Sequence, residues 1–139
     1  MNIRQEVVTE ARSWIGVKFK KGGRGKTGID CIGLLVNVGK KFGFDIADSV
    51  EYSFNPEPEK FAELVYEQSV ERKLDDISVG SIALFRQSIF PMHTGIIAKD
   101  KYGRFTVINS SLKERRVVEE SLDKWFDLLI GLRDYKELA

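Results

Sequence analysis

Apolar positions change their period partway along this chain, and the change divides it into two kinds of structure. Near the N-terminus Ile3, Val7, Ala11, Trp14 and Ile15 recur at helical spacing, and Gly16 supplies a stop. A loop dense in glycine and lysine follows, "VKFKKGGRGKTGI" (17–29). A second helix is predicted from Cys31, capped by Asp30, with Leu34, Leu35, Val38 and Phe42 on one face and Gly43 closing it. The amphipathic pattern of "EPEKFAELVYEQSVERKL" (57–74) predicts a third helix that turns Phe61, Leu64, Val65 and Leu74 inward.

Beyond residue 76 the pattern becomes period two or short apolar runs. "SIALFR" (81–86), "TGIIAK" (94–99), "RFTVIN" (104–109) and "RVVEE" (116–120) read as strands, with Pro91 setting a turn ahead of the second. "DKYG" (100–103) is a hairpin turn. "SLDKWF" (121–126) reads as one helical turn capped by Ser121, and "LLIGLRDY" (128–135) as a last strand. Helices first and a meander afterwards predict an α+β fold: N-terminal helices packed on a C-terminal antiparallel sheet of about five strands. The length suits a single domain over 1–139.

Composition narrows the function. The hydrophobic fraction of 42% and charged fraction of 31% are those of an ordinary soluble protein. With 22 basic against 21 acidic side chains, net charge predicts neither a nucleic-acid partner nor a membrane surface. No apolar run approaches the ~20 residues of a membrane span. The N-terminus has no apolar core of a secretory signal, so synthesis in the cytoplasm is expected. One cysteine makes no internal disulfide, and one cysteine with one histidine makes a poor metal site. No metal and no cofactor are predicted.

The single cysteine stands in "GIDCIGLL" (28–35), in the first turn of its helix. Unpaired N–H groups there stabilise a thiolate and also a developing oxyanion. Lys18, Lys20, Lys21, Arg24 and Lys26 add positive potential if the loop folds over the site. Alternatively Cys31 is a small residue packed under the helix. "GGRGKTG" lacks the spaced upstream glycine of a phosphate-binding loop. His93, the sole histidine, is a candidate general base at the head of a strand, or else a surface or capping residue. Asn109 ends the neighbouring strand, where its carbonyl can fix the imidazole tautomer, or where it is an ordinary turn residue.

These pieces occur in a telling order: "G-x-x-F-x-x-G-G" (16–23), "DCIGLL", "VGSIALFR" (79–86), "HTGII" (93–97) and "FTVINSS" (105–111). The chain resembles the NlpC-type peptidoglycan cysteine peptidases, a compact relative of the papain-like fold, from about Ile3 to Tyr135. The resemblance implies Cys31 as nucleophile, His93 as general base and Asn109 as the residue that orients it. It places Phe19, Asp30 and Ile32 at substrate-binding positions, and it implies a peptidoglycan peptide substrate. "VGSIALFR" and the closing "VVEESLDKWFDLLIGLRDY" (117–135) are similar to the phage-tail and gene-transfer-agent subgroup, which implies tail proteins as partners and a virion-like particle as carrier. Phe19 stands where the family usually has tyrosine, Ile32 where it has serine, and Lys21 where it has an aromatic residue. Three other readings compete: a non-catalytic tail-assembly scaffold, a thiol amidase or transacylase acting on another amide, and a redox-sensing thiol.

Overall fold

The computed structural model describes residues 2–54, 58–87 and 90–139. Helix α1 spans Ile3–Arg12, capped by the Asn2 side chain, and the chain then turns through Gly16 at φ +93°. Two short strands, β1 (Arg24–Gly25) and β2 (Gly28–Ile29), fold the glycine-rich loop into a hairpin. Helix α2 runs Cys31–Lys41 with Asp30 as its cap, and Gly43 leaves it at φ +71°. The one-turn helix α3 (Glu51–Phe54) and helix α4 (Pro58–Glu67) complete the helical part.

Six strands follow: β3 (Ser69–Arg72), β4 (Ile82–Gln87), β5 (Phe90–Lys99), β6 (Phe105–Ser111), β7 (Arg116–Ser121) and β8 (Leu129–Tyr135). A 3-10 segment, Leu122–Leu128, links β7 to β8 and is capped by Ser121. The spatial order is β3-β8-β4-β5-β6-β7, with every pairing antiparallel. The fold is thus α+β, with helices against a mostly antiparallel sheet.

Strand alternation sends side chains to two different cores. Ile82, Ile96, Ala98 and Ile108 pack beneath α1 and α2, against Val7, Ala11, Trp14, Leu34, Leu35 and Val38. Leu84 joins a second cluster on the helix side with Cys31, Ile32, Val36, Phe61, Leu64 and Val65. Ala83, Phe85, Ile97, Val107 and Leu132 belong to a third cluster with Leu122 and the 3-10 segment.

Four expectations need correction. The third helix stops at Glu67 instead of running to 74, because Gln68 and Ser69 bond back to the carbonyls of Leu64 and Val65. The next four residues become β3 by pairing with β8, and Leu74 is exposed. That strand makes the sheet six-stranded. Pro91 lies inside β5 opposite Arg86, where a proline is tolerated because pairing of β5 with β6 begins only at Ile96. Ile3 and Ile15 are exposed, whereas Val8 is buried.

A buried ion cluster ties the N-terminal helix to the last strand. Asp134 accepts from Arg4 (3.1 Å), Arg72 (2.9 Å) and the Ser81 hydroxyl (2.8 Å). Burial pushes its carboxyl up, but these donors outweigh burial and hold it below the usual carboxylate range. The stability it supplies is complete above the unfolded pKa of about 4 and is lost as pH falls through the lower folded value. Asp134→Asn should cost about 3 kcal/mol in urea denaturation at pH 7, since two guanidinium groups lose their buried partner. The loss should shrink as the parent is acidified below about pH 4.

Candidate active site

Asp30 organises the ground on which Cys31 stands. Its side chain accepts from the Gly33 N–H (2.8 Å) as the cap of α2, from the Gly22 N–H (2.8 Å), from Arg24 (3.0 Å) and from the Tyr52 hydroxyl (2.6 Å). Gly33 has no room for a side chain: a Cβ would meet the Gly23 carbonyl oxygen at 2.2 Å. The loop can therefore press against the first turn of α2 only because residue 33 is glycine.

The basic loop does not present its charge to the sulfur. Arg24 turns inward to Asp30 and to Asp48 (3.0 Å). Lys26 sits 3.6 Å over the Trp14 ring. Lys18, Lys20 and Lys21 are exposed.

Cys31 is 8% exposed and packs with Phe61, Leu64, Val65 and Leu84. Burial, then the neighbouring Asp30 charge, push its thiol up to about 12; backbone N–H groups of Thr94, Ile32 and Cys31 offset only part of this. The expected thiolate is thus corrected to a neutral thiol in the free chain. The helix terminus does aim its donors at the sulfur, but desolvation of an anion outweighs them.

His93 and Asn109 come together as the sequence order predicts. Imidazole Nε2 lies 3.0 Å from Asn109 Oδ1. Asn109 Nδ2 donates to Glu120 at 3.2 Å, so the amide oxygen faces the ring. Nε2 therefore carries the proton, and Nδ1 is the basic atom. Gly95 makes this approach feasible, because a Cβ there would meet Val107 at 2.5 Å and the Ile108 carbonyl at 2.7 Å.

Strand β5 brings the two halves into one place. Thr94, which directly follows His93, is near enough to Cys31 for its backbone N–H to lower the thiol's pKa. Among the described residues no hydrogen bond joins the sulfur to the ring directly. The three remaining positions divide. Ile32 is fully buried, and it bears on Cys31 through its backbone N–H, which lowers the thiol's pKa, and through its apolar packing. Asp30 is 3% exposed with its oxygens committed inside the protein. Phe19 is partly buried and bridges to Ile29.

Two residues escaped the sequence reading. Glu120 holds Asn109, is paired with Lys124, and accepts from the Trp125 indole N–H at 3.2 Å. Trp125 stacks on His93 with centroids 5.0 Å apart and planes at 21°. One carboxylate therefore fixes both the amide and the aromatic face that hold the imidazole. A β6–β7 register would have pointed to Glu120, which pairs with Val107. For Trp125 the sequence signal was only an aromatic residue in a helical turn.

No family model matches the chain, and no curated protein matches its sequence. Solved structures do match. A protein of the NlpC/P60 family from Bacillus cereus superposes with a TM-score of 0.75 at 18% identity, covering 96% of this chain and 40% of its own. A Staphylococcus aureus protein of that family, described as similar to a lipoprotein, gives 0.70 at 20% identity over 95% of this chain and 41% of its own. The NlpC/p60 domain of the peptidoglycan hydrolase SagA gives 0.65 at 18% identity, over 96% of this chain and 98% of its own. The chain thus spans well under half of the first two proteins. The fold is the papain-like one of NlpC/P60 proteins.

Burial lowers the basicity of His93, while Asn109 and the Glu120 charge offset part of the effect. The ring should titrate below about 6.5, readable from its NMR signals because it is the sole histidine. Glu120→Gln should lower that pKa further; an unchanged or higher value would count against the relay. Cys31 alkylation should keep accelerating through pH 10, and a plateau below pH 8 would refute the neutral thiol.

Proposed function

We propose that the chain is a cysteine peptidase that hydrolyses amide bonds in peptidoglycan stem peptides. One observation carries this reading: on an NlpC/P60-type fold, Cys31 opens a helix beside the backbone of Thr94, the residue next to a histidine held by Asn109. The peptidoglycan hydrolase SagA is among the proteins whose domain shares that fold.

Cys31 is the nucleophile, His93 the general base and Asn109 the orienting residue. The Cys31 sulfur attacks the substrate carbonyl carbon as its proton passes to His93 Nδ1. The oxyanion gathers at the N–H of Cys31. Imidazolium then gives the proton to the leaving amine, the C–N bond breaks, and an acyl-thioester remains. Water adds to the thioester with the same imidazole as base, and the thiol returns. No step needs a metal or cofactor.

The tail-associated setting is part of the proposal. It rests on the resemblance of 79–86 and 117–135 to that subgroup, with tail proteins as partners and a virion-like particle as the place of action. One observation favours a second reading, a non-catalytic scaffold: the Cys31 thiol is buried among apolar side chains, which favours its neutral form.

Digestion of purified peptidoglycan separates the two, with mass analysis of released peptides locating the bond. The parent should release new amino termini, and Cys31→Ala should release none. His93→Ala should lose about 10²–10⁴ in rate. An intact wall with all three proteins leaves the scaffold. Amine-dependent products with a new amide would mark a transacylase instead.

A further inference from the structure

A cavity of about 550 Å³ opens on the helix side of the sheet, between α4 and strands β3 and β8. Cys31, His93 and Asn109 are not among the described residues that line it. Its walls include Tyr66, Lys73, Leu84, Ile130 and two arginines, Arg72 and Arg133.

The two arginines differ in their commitments. Arg72 is paired with Asp134 (2.9 Å) and Asp76 (3.0 Å). Among the described residues Arg133 donates only to Ser69, through Nε to the hydroxyl (2.6 Å) and through Nη2 to the carbonyl (3.1 Å). Its guanidinium lies 4.5 Å from the Tyr66 ring centroid. Among the described residues no carboxylate lies within ion-pair distance of Arg133 or of Lys73. A partly desolvated guanidinium with free donors, steadied by an aromatic face, is a receptor for a planar carboxylate. Burial lowers the Arg133 pKa, with Tyr66 and Glu71 acting against it. The charge of an arriving anion would offset the cost of that desolvation.

The remaining lining selects among anions. Glu71 and Asp75 face the same cavity and oppose a polyanion such as a phosphate. Leu84 and the exposed Leu74 and Ile130 suit the apolar part of a peptide. Leu84 also connects the cavity to the nucleophile. It packs in the cluster of Cys31 and pairs across strands with Thr94, the residue after His93.

We infer that this cavity is a subsite for a peptide carboxylate, anchored by Arg133 with Lys73 as a second cation. The identity of the peptide as the substrate of Cys31 rests on the hydrolase reading; the carboxylate site itself does not.

The test uses ¹⁵N-labelled Cys31→Ala chain and two probes. One is the stem tetrapeptide L-Ala-γ-D-Glu-L-Lys-D-Ala, and the other is the same peptide with both carboxylates amidated. The acid peptide should shift the amides of Gly131 and Arg133 and bind about tenfold more tightly than the amide. Arg133→Gln should remove that difference, and Arg133→Lys should keep part of it. Lys73→Gln, at an exposed position, should weaken the acid peptide without changing the melting temperature. Equal binding of both peptides, no binding, or shifts elsewhere would overturn the subsite. Acetate reproducing the shifts while the peptide does not would overturn the peptide assignment. Carboxylate-dependent shifts with no cleavage by the parent keep the subsite and remove the hydrolase. Cleavage of both peptides at equal kcat/KM does the reverse.

Discussion

The buried carboxylate of Asp30 is the constraint on which the rest of the site depends. It is the point where three segments meet: the first turn of α2 through Gly33, the glycine-rich loop through Gly22 and Arg24, and the 45–54 segment through Tyr52. An isolated buried carboxylate would be expensive, so these donors are needed as a set. Arg24 in turn reaches Asp48, which draws the acidic segment against the loop. The loop's one inward cation is thereby consumed in holding the architecture.

This arrangement puts position and reactivity in opposition. What fixes Cys31 at the helix terminus also places a negative charge beside it and apolar side chains around it. Both effects keep the thiol neutral, and burial keeps His93 neutral as well. A neutral resting pair is compatible with catalysis. In the proposed reaction, proton transfer would coincide with attack, so that imidazolium and oxyanion arise together in the transition state. The N–H donors at the helix terminus and the Asn109–Glu120 relay then act mainly on charge that is absent beforehand, where stabilisation accelerates the reaction most.

Much of this was legible in the sequence, and the limits have physical causes. Helical period, the Asp30 cap and Gly43 located α2 closely, because those signals are local. Period two and "DKYG" placed β5 beside β6, which set Asn109 within reach of His93. The β3 strand was hidden because its stability comes from pairing with β8, more than 60 positions away in the chain. Glu120 was hidden for a related reason. Glu119 and Glu120 are neighbours with the same charge, yet alternation sends one to Arg12 and the other to Asn109. Choosing between them requires the β6–β7 register. The thiol's ionisation was misjudged because the helix terminus is a local feature, whereas the desolvation comes from α4 and β4.

The departures from the resembled family bear on that same desolvation. Ile32 stands where a serine is usual, and its side chain is wholly buried in the Cys31 cluster with Val36, Phe61 and Leu64. Its effect therefore falls on the medium around the sulfur rather than on a direct polar contact with substrate. A β-branched apolar side chain there leaves no hydroxyl at that position beside Cys31 and adds apolar contact. Phe19 likewise brings no hydroxyl, while a phenol does reach the foot of the helix from Tyr52, where it donates to Asp30. That donation spreads the Asp30 charge and weakens its repulsion of a forming thiolate. The chain thus sets an apolar residue against the thiolate and a phenol in its favour, and both act within one turn of Cys31.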